Sequence, residues 1–494
     1  MIDKKYYIYI LFLFLLSFLI YLDVKNTTLL YDDVYSIFLI KQPYTEIVKI
    51  TASDVHPPLY YWGLKTYSYL FGSSLSALRL FSVLGIIATL LLGHFLVRQM
   101  FGGKIASSFL LLLLIFPVTQ YLAVEIRMYS WTMFFVLACA LSAYMVFLKG
   151  RKKDWIFFFI TGICSAYLHN YGLLSVFGIY IILLISFILK KKNCYNLLLW
   201  GGIFSLAYLP WLIQLTNQIS AISGDYWIRP LTINDLFLHI YYFYSPKEVW
   251  LLFSDFTKGQ MMICLILIMT LQLIITLKVL KEGMKKKDDN VRLAVLAFIA
   301  FVIPVLIGAF ISAVYIPVLV TRYMTCSFGL FVLSLAFILA KSFDYPMFKK
   351  IACIFLLLLF VDAGLRFYSG TKYYNETEAA YSEIRHFIKD SDSRQLIVND
   401  FSYHVMPRLQ LISPGNEYYV LCKESTIENF EPFTFDRINE EELSFDMFIL
   451  VHQERDVIQK DFCRYRKSIE SNYIIIDSLH ASDIYLYRMQ RIDK

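Results

Sequence analysis

Tyr6–Leu22 reads YYIYILFLFLLSFLIYL, apolar and aromatic throughout apart from Ser17, with Lys4 and Lys5 directly in front of it. As a helix this run is long enough to cross the hydrocarbon core of a bilayer, and the lysines place its leading end on the cytoplasmic side. It exceeds the core of a signal peptide, and Asp23-Val24-Lys25-Asn26 behind it is a poor cleavage site, so a retained helix is expected. The chain then emerges at Asp32 and Asp33 on the side away from the cytoplasm.

The remainder of the chain repeats the pattern. Of its 494 residues 58% are hydrophobic and 17% charged, with a mean hydropathy of +0.57, whereas soluble domains hold about 45–50% apolar residues. Apolar runs recur at 77–97, 105–122, 129–148, 155–169, 171–189, 196–213, 259–280, 291–313, 323–340 and 351–366, which with 5–22 predicts about eleven spans. The loops holding Arg98 and Lys104, Lys149 to Lys153, Lys190 to Lys192, Lys278 to Arg292, and Lys341 to Lys350 are rich in cations and alternate with loops that are not. That alternation assigns the basic loops to the cytoplasm, and an odd number of spans puts the C-terminal tail outside. Loss of either of the two shorter runs, 105–122 or 155–169, would reverse the side of everything after it. The net charge of +7 is explained by these loops, and no basic stripe or RNA motif points to nucleic acid.

The loop at about 23–76 is too long for a simple connection and is expected to carry two interfacial helices, around 34–40 and 59–70. A second outer stretch, about 214–257, holds Tyr226-Trp227-Ile228-Arg229-Pro230 and Tyr241-Tyr242-Phe243-Tyr244, aromatic clusters suited to a membrane interface. Residues 1–366 thus form a transmembrane domain, and from 367 to 494 the composition turns polar and predicts a soluble α/β domain. In it Glu376–Lys389 reads as an amphipathic helix, and 396–398, 418–421, 447–451, 473–476 and 484–487 read as strands. The eight cysteines form no ligand spacing. Only Cys422 and Cys463 lie in the polar tail, where an oxidising compartment would allow them to pair.

Ionisable residues at the ends of spans are candidate site residues because lipid-facing positions hold charge only at high cost. On the outer face these are Asp32 and Asp33, Asp54 and His56, Glu125 and Arg127, His169 with Asn170 and Tyr171, and Arg322 with Tyr323. Paired carboxylates at a low-dielectric boundary divide labour, one pKa rising until that group is a competent base. Either aspartate is also a natural cap for the following helix; Asp32 is assigned to the base, and Asp33 stays open between the two roles. In His56-Pro57-Pro58-Leu59-Tyr60-Tyr61 the prolines predict an extended His56 leading into a helix that begins near Pro58. The imidazole there can bind phosphate, hold a carboxylate or ligate a metal with Asp54, and a hydrogen-bonded histidine is the simpler reading. Glu125 and Arg127 make an interfacial ion pair or, with Arg322, a phosphate grip, since guanidinium matches phosphate oxygens. Lys65 and Arg79 read as snorkelling residues, and His169-Asn170-Tyr171 as a polar turn or a substrate contact.

Taken together, Asp32-Asp33, Asp54-Val55-His56-Pro57-Pro58-Leu59-Tyr60-Tyr61, Ala77-Leu78-Arg79-Leu80-Phe81-Ser82, Glu125 to Ser130 and Arg322-Tyr323 form a recognisable set. The set resembles the bacterial family of dolichyl-phosphate-mannose-protein mannosyltransferase-like enzymes, whose relatives include protein O-mannosyltransferases and the lipid A aminoarabinose transferase. The resemblance implies the C-type glycosyltransferase fold, a polyprenyl-phosphate sugar donor reaching the site from the lipid, and a glycan, lipid or protein acceptor at the extracytoplasmic face of a bacterial inner membrane. It assigns the catalytic acid to Asp32, with Asp33 beside it where the family often has glutamate. Donor and acceptor contacts are expected from Asp54, His56, Tyr60, Glu125, Arg127, Tyr129, His169, Arg322 and Tyr323. No nucleotide and no obligatory metal is required. A lipid-linked-sugar flippase or a polysaccharide ligase or polymerase is the rival reading; a transporter would place its charges near the midplane and show internal symmetry.

Overall fold

The computed structural model describes residues 29–221, 241–246 and 255–389, then 396–399, 405–421, 435–438, 443–453 and 471–492, with a few single positions between. The first apolar run, Tyr226, Trp227, Arg229, Cys422 and Cys463 lie outside the described residues, and so do the expectations placed on them. The chain folds as two compact units: one contains Tyr44–Gly370, and the other joins residues 26–43 to Thr371–Lys494.

In chain order the helices are α1 (Tyr31–Leu39), α2 (Tyr44–Ser53), α3 (Leu59–Phe71), α4 (Leu75–Phe101), α5 (Gly103–Ile115), α6 (Pro117–Val124) and α7 (Tyr129–Leu148). They continue as α8 (Lys152–Leu168), α9 (Asn170–Leu189), α10 (Tyr195–Ala221), α11 (Asp255–Lys285), α12 (Asp289–Val314), α13 (Thr321–Ser342) and α14 (Pro346–Lys389). Among the described residues eight helices are long and apolar enough to cross a membrane: α4, α7 and α9 to α14. The chain is a multi-pass membrane protein. The two shorter runs are where the pattern departs from a plain span. Run 105–122 is the pair α5 and α6, bent by 67°, and run 155–169 is the short helix α8.

The bend has a local cause. Pro117 opens α6 and forces Phe116 into an extended conformation (φ −62°, ψ 125°). A break at this depth leaves donors without helical partners, and here the Val118 N–H donates to the Phe243 carbonyl at 3.3 Å. Phe243 belongs to the aromatic run Tyr241–Tyr244, expected at a membrane interface. It is buried against protein, its ring 4.7 Å from Phe328, 5.5 Å from Phe331 and 5.7 Å from Phe301. Aromatic density alone does not separate an interfacial belt from a core plug; only the packing partners do. Helix α13 is buried along nearly all its length against α5, α7, α11 and α12, as a helix apolar on every side must be.

Among the described residues, the loop after the first run holds three helices rather than two. The addition, α2, follows Pro43 and buries only Ile47, Ile50 and Thr51, so its hydrophobic signal is weak. It is fastened through tertiary bonds, with Trp62 Nε1 donating to the Tyr44 carbonyl (3.2 Å) and Gln218 Nε2 to the Thr51 carbonyl (2.9 Å).

In the other unit, Glu376–Lys389 is not a separate helix but the end of α14, because no residue between the apolar run and this stretch breaks the helix. The sheet consists of β1 (Leu396–Asn399), β2 (Glu417–Leu421), β3 (Asp436–Ile438), β4 (Met447–Gln453), β5 (Tyr473–Ala481) and β6 (Ile484–Arg491) in the order β3-β2-β1-β4-β6-β5. β1 pairs in parallel with β2 and β4, while β6 pairs antiparallel with β4 and β5. One face buries Val398, Leu421, Phe448, Leu450 and Met489. The short β3 and the helix Met406–Ile412 (α15) carry too little hydrophobic period to be seen in the sequence.

Candidate active site

His56 sits where the prolines put it. Pro58 is the cap and α3 starts at Leu59, so the imidazole stands just before a helix N-terminus and is almost fully buried. Its Nδ1 lies 3.6 Å from Asp54 Oδ2 and 3.4 Å from Arg127 Nη2. Arg127 is also buried, and its Nη1 donates to the Tyr61 hydroxyl at 2.8 Å. The turn between α6 and α7 presents it: Glu125 ends α6 in an extended conformation and its carbonyl accepts the Arg127 N–H at 2.8 Å. The side chain of Glu125 is buried in the same turn. Burial works to raise the Asp54 pKa, but the His56 hydrogen bond and the positive charges of His56 and Arg127 outweigh it, so the carboxyl is held below its ordinary range.

His169 closes the cluster from the turn between α8 and α9. Its backbone is extended (φ −158°, ψ 143°) and its Nδ1 accepts the Tyr171 N–H at 3.0 Å, capping α9. That bond settles the tautomer of the neutral ring: the proton is on Nε2, which has no hydrogen-bond partner among the described residues. Burial first, then the positive charges of His56, Arg127 and Arg322, hold the His169 pKa well below its ordinary value. The His169 ring lies 5.2 Å from His56, 5.5 Å from Tyr129 and 4.8 Å from Tyr323. The Tyr129 hydroxyl is likewise buried without a partner among the described residues. Asn170 ties this turn to the histidine loop, its Nδ2 donating to the Val55 carbonyl at 2.9 Å. The approach of α9 to α8 requires Gly172, since a Cβ there would run into the Ser165 carbonyl.

Of the expected site residues, the structure therefore gathers Asp54, His56, Arg127, Tyr129, His169 and Tyr323, with Arg322 near enough for its charge to act on His169. Tyr60 is directed elsewhere: its hydroxyl shares a 3.0 Å hydrogen bond with Ser82 on α4. Asp32 and Asp33 lie in the first turn of α1, in the other unit. There Asp33 Oδ2 accepts the Leu30 N–H at 3.1 Å, which is the capping role. Two tyrosines of the motifs gain a task only in the fold: Tyr61 carries Arg127, and Tyr171 donates to the Val318 carbonyl at 3.0 Å. Run 351–366 reads as a plain span in the sequence, yet it ends on a buried ion pair, Asp362–Arg366, that also reaches Ser245. Charges four residues apart inside an apolar run are the available signal. No group of three or more His, Cys, Asp or Glu side chains able to hold a metal ion occurs among the described residues.

Comparison with known proteins adds three findings. Residues 55–214 match the family described as dolichyl-phosphate-mannose-protein mannosyltransferase. The fold is similar to that of ArnT from Cupriavidus metallidurans in the apo state, with a TM-score of 0.64 and 12% identity over 98% of each chain. It is also similar to ArnT from the same organism bound to undecaprenyl phosphate, with a TM-score of 0.57 and 11% identity, again over 98% of each chain. Comparison with curated proteins gave no match. Fold and matched stretch define a class: a multi-pass membrane protein of the C-type glycosyltransferase fold, mannosyltransferase-like over residues 55–214.

Proposed function

We propose that this protein is a membrane glycosyltransferase that moves one sugar from a polyprenyl-phosphate donor to an acceptor at the extracytoplasmic face of a bacterial inner membrane. The basic loops and an odd number of spans support a cytoplasmic N-terminus and an extracytoplasmic C-terminal domain. The observation that carries the reading is the buried cluster of Arg127, His56 and His169 in a fold shared, over 98% of each chain, with a protein solved with undecaprenyl phosphate. A buried guanidinium, with a His169 Nε2–H in the same cluster that has no hydrogen-bond partner among the described residues, suits a phosphate monoanion or diester in a site of low dielectric.

Asp32 takes the proton of the acceptor nucleophile as that atom attacks the anomeric carbon. The bond from that carbon to the phosphate oxygen breaks, and polyprenyl phosphate leaves with its charge held by Arg127 and Arg322. Asp54, kept ionised, orients His56 against Arg127. A single displacement inverts the anomeric centre.

The test uses purified full-length protein with undecaprenyl-phosphoryl mannose, the sugar named by the matched family, followed by other undecaprenyl-phosphoryl monosaccharides. Asp32→Asn is expected to abolish release of undecaprenyl phosphate while leaving insertion and thermal stability intact. Near-normal turnover by that variant removes Asp32 from the base role, and failure to release monophosphate from every monosaccharide donor removes the enzyme reading.

A further inference from the structure

The helix that carries Asp32 is poorly equipped to hold itself. It has nine residues, too few to be stable alone, and its N-cap position is Leu30, whose side chain makes no capping hydrogen bond. Asp33 closes the first turn onto Leu30 N–H at 3.1 Å.

The C-terminal part of the same unit grips this helix at its start and along its side. Arg408, on α15, is 7% exposed. Its Nη1 donates to the Leu29 carbonyl at 3.3 Å, two residues before α1 begins. Its Nη2 donates to Glu378 Oε1 at 2.5 Å, and its guanidinium lies 3.5 Å above the Tyr381 ring. Glu378 and Tyr381 belong to the last turns of α14. A buried guanidinium is stable only when most of its donors are spent, so carboxylate, ring and carbonyl together define one position for it. On the helix body, the Phe433 ring packs 5.7 Å from Tyr31, 6.1 Å from Tyr35 and 5.3 Å from Phe38. Start and side of α1 are thus held by residues from the far end of the chain.

We propose that Arg408 is a positioning residue for transfer: through Leu29 it sets the direction of α1 and so aims the Asp32 carboxylate, making the C-terminal module part of the catalytic apparatus. This rests on the reading of Asp32 as the base. Arg408 touches neither donor nor acceptor in this scheme, and its effect appears in the chemical step and not in donor binding.

The experiment compares Arg408→Met, Arg408→Lys and Phe433→Leu in the full chain, in lipid nanodiscs, by amide hydrogen exchange and by turnover of undecaprenyl-phosphoryl mannose or whichever donor the wild type uses. For Arg408→Met, exchange across residues 29–40 is expected to quicken about tenfold while β1, β4 and β6 stay protected. Its kcat is expected to fall about 10- to 100-fold with donor KM unchanged, as for a misplaced catalytic group. Lysine is expected to restore part of the rate, and adding Arg408→Met to Asp32→Asn to cost nothing further. Unchanged exchange in α1, or faster exchange with unchanged kcat, overturns the proposal while leaving Asp32 as base. Loss of protection throughout the sheet makes Arg408 a general folding residue and overturns it too. If Arg408→Met does not fold, Phe433→Leu must reproduce the same split of kcat from KM, or the proposal fails. Full turnover by Asp32→Asn instead sinks the underlying reading, whatever the exchange pattern shows.

Discussion

Two sets of buried charge in the helical unit answer different needs. Near the end of the last apolar run, Arg366 spends Nε and Nη2 on the two oxygens of Asp362 at 2.8 and 3.1 Å, and Nη1 on Ser245 Oγ at 2.8 Å. All of this is closed within one helical turn and one neighbouring hydroxyl. The set around His56 is drawn from three separate turns: Nδ1 lies 3.4 Å from Arg127 and 3.6 Å from Asp54, Arg127 donates to Tyr61 at 2.8 Å, and the Nε2 of His169 and hydroxyl of Tyr129 are left over among the described residues. A desolvated polar group that the protein itself does not satisfy costs stability, so it persists where a ligand completes it. We read the closed set as architecture and propose the open one as the site.

The widest separation between the two is expected from removing one arginine at a time. Arg366→Ala leaves Asp362 as an uncompensated buried charge and is expected to cost about 3–5 kcal/mol of stability, read by thermal unfolding in detergent. The paired change Asp362→Leu with Arg366→Met is expected to restore most of that loss; if it does not, the pair does more than fill space. Arg127→Ala should act the other way round, lowering donor turnover about 100-fold while thermal stability changes little, because a charge-assisted bond to phosphate is lost. Equal damage to folding by Arg127→Ala would break the comparison.

His169→Asn sharpens it further. Asparagine is a good N-cap and preserves the bond to the Tyr171 N–H, but it removes Nε2–H, and a fall of about tenfold in turnover with an intact fold is expected. The smallest effect is one of pH. The folded pKa of His169 lies below its ordinary value of 6.5, so between the two the unfolded chain holds more protons. The stability contributed by the neutral ring is complete above pH 6.5 and is lost as pH falls from there towards the folded value. Melting temperature measured against pH should therefore flatten across that window in His169→Asn.

Legibility follows the range of the interaction. His56 is readable because proline acts on its immediate neighbours, and α3 begins where Pro57 and Pro58 dictate. The sheet strands are readable where β-branched and aromatic residues cluster, as in Met447–Gln453, and not in the three-residue β3. The burial of Tyr242, Phe243 and Tyr244 is not legible, because a buried plug and an interfacial belt share one composition. The Asp362–Arg366 pair hides in a run that stands out for its length and hydropathy, although its spacing marks it.

The amino-acid order determined what depends on near neighbours: the apolar runs, the basic loops, the proline-led helix start and the residue types able to grip a phosphate. Only the tertiary structure decided that Arg127, His56, His169 and Tyr323 meet in one buried cluster, and that the helix bearing Asp32 belongs with Arg408 and Phe433. The reason is physical. Hydropathy and backbone preference act over a few residues, whereas these contacts join segments far apart along the chain, whose meeting is settled by packing rather than by any local pattern.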